Sequence, residues 1–202
     1  MDMATTKKWD SIAKFYDWNS FGAEIRWAPA KEKLYSQMGD GKILFLAVGT
    51  GADIEHFPPG KNIIGIDISP KMLEKAAPKA RRYQGRIELK EMDARELTFS
   101  DETFDQVFSS CTFCSVPDPI DALKELKRVV KPGGELRMFE HTASRHFPFR
   151  QLLNMMNPLI EKLGPSLNRD TVSNLKEAGF TVKEVFNIYL DIVKAIYAVK
   201  PQ

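Results

Sequence analysis

Apolar residues recur along the chain in two periods. Short unbroken apolar runs of strand length lie at 43–48 and 63–66, residues 86–91 (RIELKE) alternate apolar with polar, and 104–110 and 135–140 read as the fourth and fifth strands. Between and around them the spacing is helical. Residues 7–20 place Trp9, Ile12, Ala13, Phe15, Tyr16 and Trp18 on one broad face, and a second helix is predicted over 23–38, before Gly39-Asp40-Gly41 turns the chain into the first strand. Ser69 as N-cap and Pro70 at the first helical position start a helix that carries Met72, Leu73 and Ala76 inward and ends near 78–82. Residues 117–130 form an amphipathic helix closed by Lys131-Pro132-Gly133-Gly134. The stretch 147–163 reads as a helix with a Met-rich apolar face, and 168–178 as another, closed by Gly179. Two strand-like runs, 180–189 and 192–199, end the chain, and a link that short requires them to be antiparallel. The alternation β-α-β-α-β-α-β-α-β before them predicts an α/β protein: a doubly wound, mostly parallel sheet of seven strands finished by a C-terminal antiparallel hairpin.

The first strand runs into KILFLAVGTG at 42–51 and ends in a glycine turn, Ala47-Val48-Gly49-Thr50-Gly51. A buried parallel strand followed by such a turn and a short helix offers backbone N–H groups to a nucleotide-like ligand. The second strand ends in Asp67, whose carboxylate can accept both hydroxyl hydrogens of a ribose. Loop and acid together describe a nucleoside site. The spacing from Ala47 to Asp67 fits S-adenosylmethionine, but it also fits a dinucleotide, with Ala47, Gly49 and Ala52 as the three small residues, or a plain turn beside a surface aspartate.

Composition narrows this little. Two hundred and two residues, 43% hydrophobic and 28% charged, suit a single domain over 1–202 with its own core. A net charge of +2 does not provide the concentrated basic face that nucleic acid requires. No apolar run approaches the roughly 20 residues of a membrane span, and the N-terminus lacks a signal-peptide core, so a cytoplasmic location is expected. Aromatics flanked by Lys7, Lys8 and Lys14 also suit a lid over the ligand or a helix at a membrane surface. Cys111 and Cys114 are not a disulfide framework, and with three histidines in the chain no metal site is expected; pocket lining is their expected role.

The sequence resembles the class I S-adenosylmethionine-dependent methyltransferases over nearly its whole length. The resemblance rests on ILFLAVGTG, GIDISPKML, MDARELTFSDETFD, FDQVFSS and LKRVVKPGGEL, in that order, together with the antiparallel tail. The runs CSVPDPIDALKELKRVVKPGGELRMFEH and LNRDTVSNLKEAGF, with FYDWNSFGAEIRWAPAKEKL near the N-terminus, are similar to a narrower group. That group contains bacterial phosphatidylethanolamine N-methyltransferases and mammalian membrane-associated thiol methyltransferases, with ubiquinone and menaquinone C-methyltransferases more distant. The resemblance implies a Rossmann-like fold, with lid helices in 1–38, a cofactor core in 42–140 and acceptor-side elements in 141–202.

It also implies S-adenosylmethionine as cofactor, with Gly49 and Gly51 beneath the methionine portion, Asp67 on the ribose hydroxyls, and Ala47, Thr50, Ile68 and Met72 as further cofactor-binding residues. Asp93 with the Ala94 amide would read the adenine edge. Ser110 would face the methionine part, and Tyr16 would lie over the sulfonium. The implied acceptor is a small molecule or lipid, above all a phospholipid-type amine, with Glu140 and His141 as candidate bases and peripheral membrane association as a further expectation. A small thiol, an amine or a quinone-type carbon is the alternative acceptor. The chain departs from the family loop at Phe45, which stands where an acid is usual, and at Ala47, where a glycine is usual. That departure leaves open a non-catalytic cofactor-binding module. The apolar 141–163 segment, with Arg145, His146 and Arg150 at its head, is the expected acceptor pocket.

Overall fold

The computed structural model describes residues 2–144, 146–160 and 165–202. A helix α1 (Met3–Tyr35) leads into β1 (Lys42–Leu46), a 3-10 turn at Ala52–His56, β2 (Asn62–Asp67), α2 (Pro70–Arg82), β3 (Arg86–Glu91) and β4 (Phe104–Ser110). Then follow α3 (Pro119–Val129), β5 (Val130–His141), α4 (Phe149–Ile160), α5 (Thr171–Glu177), β6 (Thr181–Tyr189) and β7 (Val193–Val199). The seven strands form one sheet in the order β3-β2-β1-β4-β5-β7-β6. The first five are parallel, and β7 runs antiparallel to both β5 and β6, as the short tail link required.

Alternation along β1 shows how the sheet divides the core. Leu44 and Leu46 join Val107, Leu136, Leu123 and Leu175 in one cluster, on the side of α3 and α5. Ile43 and Phe45 face the other way and join Tyr35, Phe57, Phe108 and Phe139, on the side of α1. Both clusters are covered, so β1 reads as a continuous apolar run.

Four expectations need correction. The two N-terminal helices are one helix of 33 residues, passing through Gly22 and containing Pro29. A glycine inside a helix costs only about 1 kcal/mol, less than the contacts anchoring both ends of α1. The crossover from β3 to β4 contains no helix: it is a run of turns over 92–103 held by Arg128, which donates to the carbonyls of Phe99 and Leu97. Strand β5 starts earlier than expected, because Val130 pairs with Phe104 before the Pro-Gly-Gly irregularity. Lastly, α4 does not bury its apolar face: Asn157 is buried, accepting from Ser166 Oγ and Leu167 N, while Leu152, Met155, Met156 and Leu159 are exposed. Residue 145 and residues 161–164, part of the expected acceptor segment, lie outside the described residues.

Candidate active site

A cleft opens at the carboxyl edge of β1, β2 and β4, under the N-terminal half of α1. Its wall includes Tyr16, Ala47, Gly49, Asp67, Ile68, Met72, Asp93, Ala94 and Ser110, so nine of the residues singled out from the sequence converge on one space. Thr50 and Gly51 are buried and do not line it. Gly51 has φ +75°, and a Cβ there would press on Ala76, so the turn needs glycine for packing as well as for backbone conformation. Gly49 also has a left-handed φ, +56°, but a Cβ on it would meet nothing. Ala47 holds φ +51° despite its methyl.

Asp67 is buried yet well supplied with donors. Its Oδ2 accepts from Gly49 N at 2.8 Å and its Oδ1 from Ser69 N at 2.9 Å. Burial raises its carboxyl above the ordinary value, and these amide bonds oppose that shift. Each oxygen keeps a lone pair for a further donor, as a pair of ribose hydroxyls would require. The residues therefore fit a ribosyl ligand: an open floor at Gly49 and a fixed acid beside it.

Asp93 is more heavily engaged than the sequence suggested. Arg95 clamps it from both nitrogens, Nη2 to Oδ2 at 2.9 Å and Nε to Oδ1 at 3.1 Å. Burial pushes the Asp93 carboxyl up, but the Arg95 hydrogen bonds and charge outweigh it and hold it below its usual value. Arg95 itself lines the cleft, as do Thr5, Trp9, Met92, Cys111, Thr112 and Ser115, none of which a sequence motif marked as ligand-facing except Cys111. Cys114 is buried behind it, its thiol pushed up to about 12 by burial and by Glu140.

The roof comes from α1. Thr5, Trp9 and Tyr16 face the cleft, with Trp9 and Tyr16 edge-to-face at 6.4 Å. Three carboxylates on the same stretch fasten the helix to successive loops: Asp2 to Arg95 at 3.6 Å, Asp10 to Ser69 Oγ at 2.6 Å, and Asp17 to Thr50 Oγ1 at 2.5 Å. Burial raises the Tyr16 phenol well above its ordinary value, with smaller contributions from Cys111, Glu24 and Asp53.

Glu140 and His141 do not line the cleft. Glu140 is fully buried and accepts from Ser109 Oγ, Thr112 N and Phe113 N, at 2.9, 3.1 and 3.1 Å, which fixes the loop after β4. Burial nevertheless pushes its carboxyl up to about 7. His141 points to the opposite face of β5; burial and Lys194 lower its imidazole, and Nδ1 has no hydrogen-bond partner among the described residues.

A glycine turn, a buried acid and an aromatic roof lie together at the carboxyl edge of a 3-2-1-4-5-7-6 sheet, an arrangement that fits a nucleoside-binding α/β enzyme. Residues 44–138 match the family described as a methyltransferase domain. The chain is 32% identical to the ubiquinone/menaquinone biosynthesis C-methyltransferase UbiE of Geotalea daltonii, over 76% of this chain and 73% of that one. It is 34% identical to a phosphatidylethanolamine N-methyltransferase of Cereibacter sphaeroides, over 68% of this chain and 66% of that protein. An S-adenosylmethionine-dependent methyltransferase from Thermotoga maritima superposes with a TM-score of 0.70 at 20% identity, over 97% of this chain and 99% of that one. The chain belongs to the class I S-adenosylmethionine-dependent methyltransferases, and S-adenosylmethionine is its cofactor.

Proposed function

We propose that the protein methylates a lipophilic amine of the phosphatidylethanolamine type, taken up from a membrane surface. The observation that carries this reading is the double use of α1. While Thr5, Trp9 and Tyr16 roof the cleft, Phe15, Trp18, Phe21 and Ile25 of the same helix are exposed, at 55%, 82%, 64% and 62%. Such a row of large apolar side chains, spaced by three and four residues, is unusual on a free surface and suits a lipid boundary. The exposed Lys7 and Lys14 add the charge that anionic headgroups attract, and α4 offers Met155, Leu159 and Leu152 in the same manner. No helix among the described residues is long and apolar enough to cross a membrane.

S-adenosylmethionine supplies a methyl group on a sulfonium, already activated for in-line displacement. The chain's part is to hold both reactants and exclude water. In this reading Asp67 takes the ribose hydroxyls, the Gly49 turn and Ser110 border the methionine end, and Tyr16 faces the sulfonium, where an aromatic face contributes about 0.5–2 kcal/mol. Asp93 and the Ala94 amide border the adenine, with Arg95 moving aside if Asp93 is to accept from it. An attacking amine must be neutral. Neither Glu140 nor His141 lines the cleft, so the amine enters already neutral in this reading, and Glu140 positions the loop after β4.

A second reading, methylation of a quinone-type carbon, is supported by the similarity to the Geotalea daltonii enzyme. Radiolabelled cofactor offered with phosphatidylethanolamine vesicles and with a demethylated quinone in vesicles separates the two. Label in the amine headgroup is the expected result. Label in the quinone alone selects the second reading, and label confined to water-soluble thiols or amines rejects both.

A further inference from the structure

The margin between α1 and the β6–β7 turn carries a cation that neither the cleft nor the core uses. Arg26 is exposed, yet its guanidinium lies over two rings, 4.7 Å from the centroid of Trp27 and 4.2 Å from that of Tyr189. The rings are themselves fixed. Trp27 meets Tyr189 edge-to-face at 5.7 Å and leans on the buried Phe139 at 6.1 Å. Two aromatic faces thus set the guanidinium before any ligand arrives. Its hydrogen-bonding edge is unused: no carboxylate or carbonyl engages Arg26 among the described residues. Arg137 shows the contrast. It stacks on Tyr197 at 4.2 Å in the same way, but its Nε donates to Glu135 at 2.9 Å.

The surroundings of that edge are apolar. Ile25, directly before Arg26, and Phe21, one helical turn earlier, are 62% and 64% exposed. Leu190, directly after Tyr189, is 47% exposed in the turn, where it holds φ +45° beside Asp191 at +58°. Asp191 is tied inward by Lys194 at 3.1 Å. A branched side chain disfavours left-handed backbone, and such strain points to a partner for the side chain it presents. A planar fork bordered by exposed apolar side chains matches a phosphate above acyl chains. The apolar groups enter the hydrocarbon boundary while the guanidinium donates paired hydrogen bonds at headgroup depth. A soluble phosphate would leave Phe21, Ile25 and Leu190 without a role. Arg26 follows Tyr16 by ten residues, roughly 15 Å along the helix. That exceeds the reach from a lipid phosphate to its own ethanolamine nitrogen, so a lipid at Arg26 is not the one being methylated.

We infer that Arg26, set by Trp27 and Tyr189, seats the phosphate of a second bilayer phospholipid, which anchors the enzyme beside the lipid in the cleft. The inference rests on the membrane-surface reading of α1. Co-sedimentation of the full chain compares vesicles of phosphatidylcholine with vesicles of digalactosyldiacylglycerol, both without net charge and only the first with phosphate. The wild-type protein is expected to bind the phospholipid at least fivefold more tightly. Arg26→Gln is expected to lose that preference and keep the glycolipid affinity. Arg26 is exposed, so the variant should melt within a few degrees of wild type. A preference that survives in Arg26→Gln overturns the inference, and so do equal wild-type affinities, which leave the membrane reading standing. Wild-type binding to neither vesicle also overturns it; if anionic vesicles are not bound either, the membrane reading falls with it. A melting shift with inorganic phosphate, seen in wild type and absent in Arg26→Gln, would assign the seat to a soluble phosphate and overturn the lipid as its occupant.

Discussion

Asp67 has the most exacting position of any single side chain in the cleft. It is buried, fixed by two amides and part of the cleft wall. Asp67→Ala removes two charge-assisted hydrogen bonds to a ribose, each of about 1.5–3 kcal/mol, and is expected to weaken S-adenosylmethionine binding at least tenfold by calorimetry. The two departures from the family loop have different consequences. Ala47 sits at φ +51°, where a Cβ is disfavoured by about 1–2 kcal/mol, so Ala47→Gly is expected to raise the urea midpoint. Phe45 is fully buried against Tyr35 and Phe57, and Phe45→Glu is expected to cost about 3 kcal/mol or more and to yield unfolded or aggregated chain. Restoring the usual acid here would break a core, so the change at Phe45 is a packing change. Glu140 has a raised carboxyl, about 7 against an ordinary 4.5. Its contribution to stability is complete below pH 4.5 and is lost as pH rises toward 7. His141, lowered, acts in the opposite sense, with stability lost as pH falls through its depressed value. Thermal melts between pH 4.5 and 7 should therefore show a downward slope in wild type relative to Glu140→Gln, the difference isolating Glu140.

At the scale of elements, α1 connects cofactor binding to the surface. Its C-terminal turns are built into the core through Leu34 and Tyr35, while its N-terminal half bridges the cleft on side-chain contacts to three separate loops. Few of these contacts are apolar, so opening this half exposes little core and costs less than global unfolding. Asp10→Ala combined with Asp17→Ala is expected to raise the dissociation rate of S-adenosylhomocysteine at least fivefold in stopped flow. The melting temperature of the ligand-free protein should move by no more than a few degrees. A large fall in that temperature would instead make α1 a structural staple of the fold.

For the whole molecule, net charge decides little and its distribution decides more. A charge of +2 over 202 residues gives little long-range attraction, so lipid affinity is expected to come from local features, first the pairing of Lys7 and Lys14 with the exposed α1 row. Co-sedimentation with anionic vesicles is expected to fall as salt rises, and Trp18→Ser with Phe21→Ser is expected to abolish most of it at any salt. Both substitutions are at exposed sites, so stability should change by no more than about 0.5 kcal/mol each. Vesicle binding that is unaffected by the pair would move the interface to α4. Arg150→Ala at the head of α4 then becomes the informative variant; Arg145, beside it in sequence, lies outside the described residues.

The sequence by itself determined the features written in local order. Strand runs and glycine turns repeat over a few residues, so β1 to β7, the parallel core, the antiparallel tail and the loop at 47–51 were all legible, as was Asp67 at the end of its strand. Tyr16, Asp93 and Ser110, which the family resemblance had placed at the cofactor, line one cleft. Other features depend on contacts between residues far apart in the chain. Asn19 to Gly22 reads locally as a break, but α1 continues through it because Asp17 reaches Thr50 and Tyr35 reaches Asp53. A Met-rich period marked the apolar face of α4, yet a period fixes only which residues share a face, not whether anything covers it. Arg95 stood next to Asp93 without a motif to mark it, and its clamp appears only when the loop after β3 folds back on itself. Lys31 and Asp53 are ordinary surface letters in a helix and a turn; tertiary packing alone buries them as an ion pair at 3.0 Å, with half-buried Glu24 on the same ammonium.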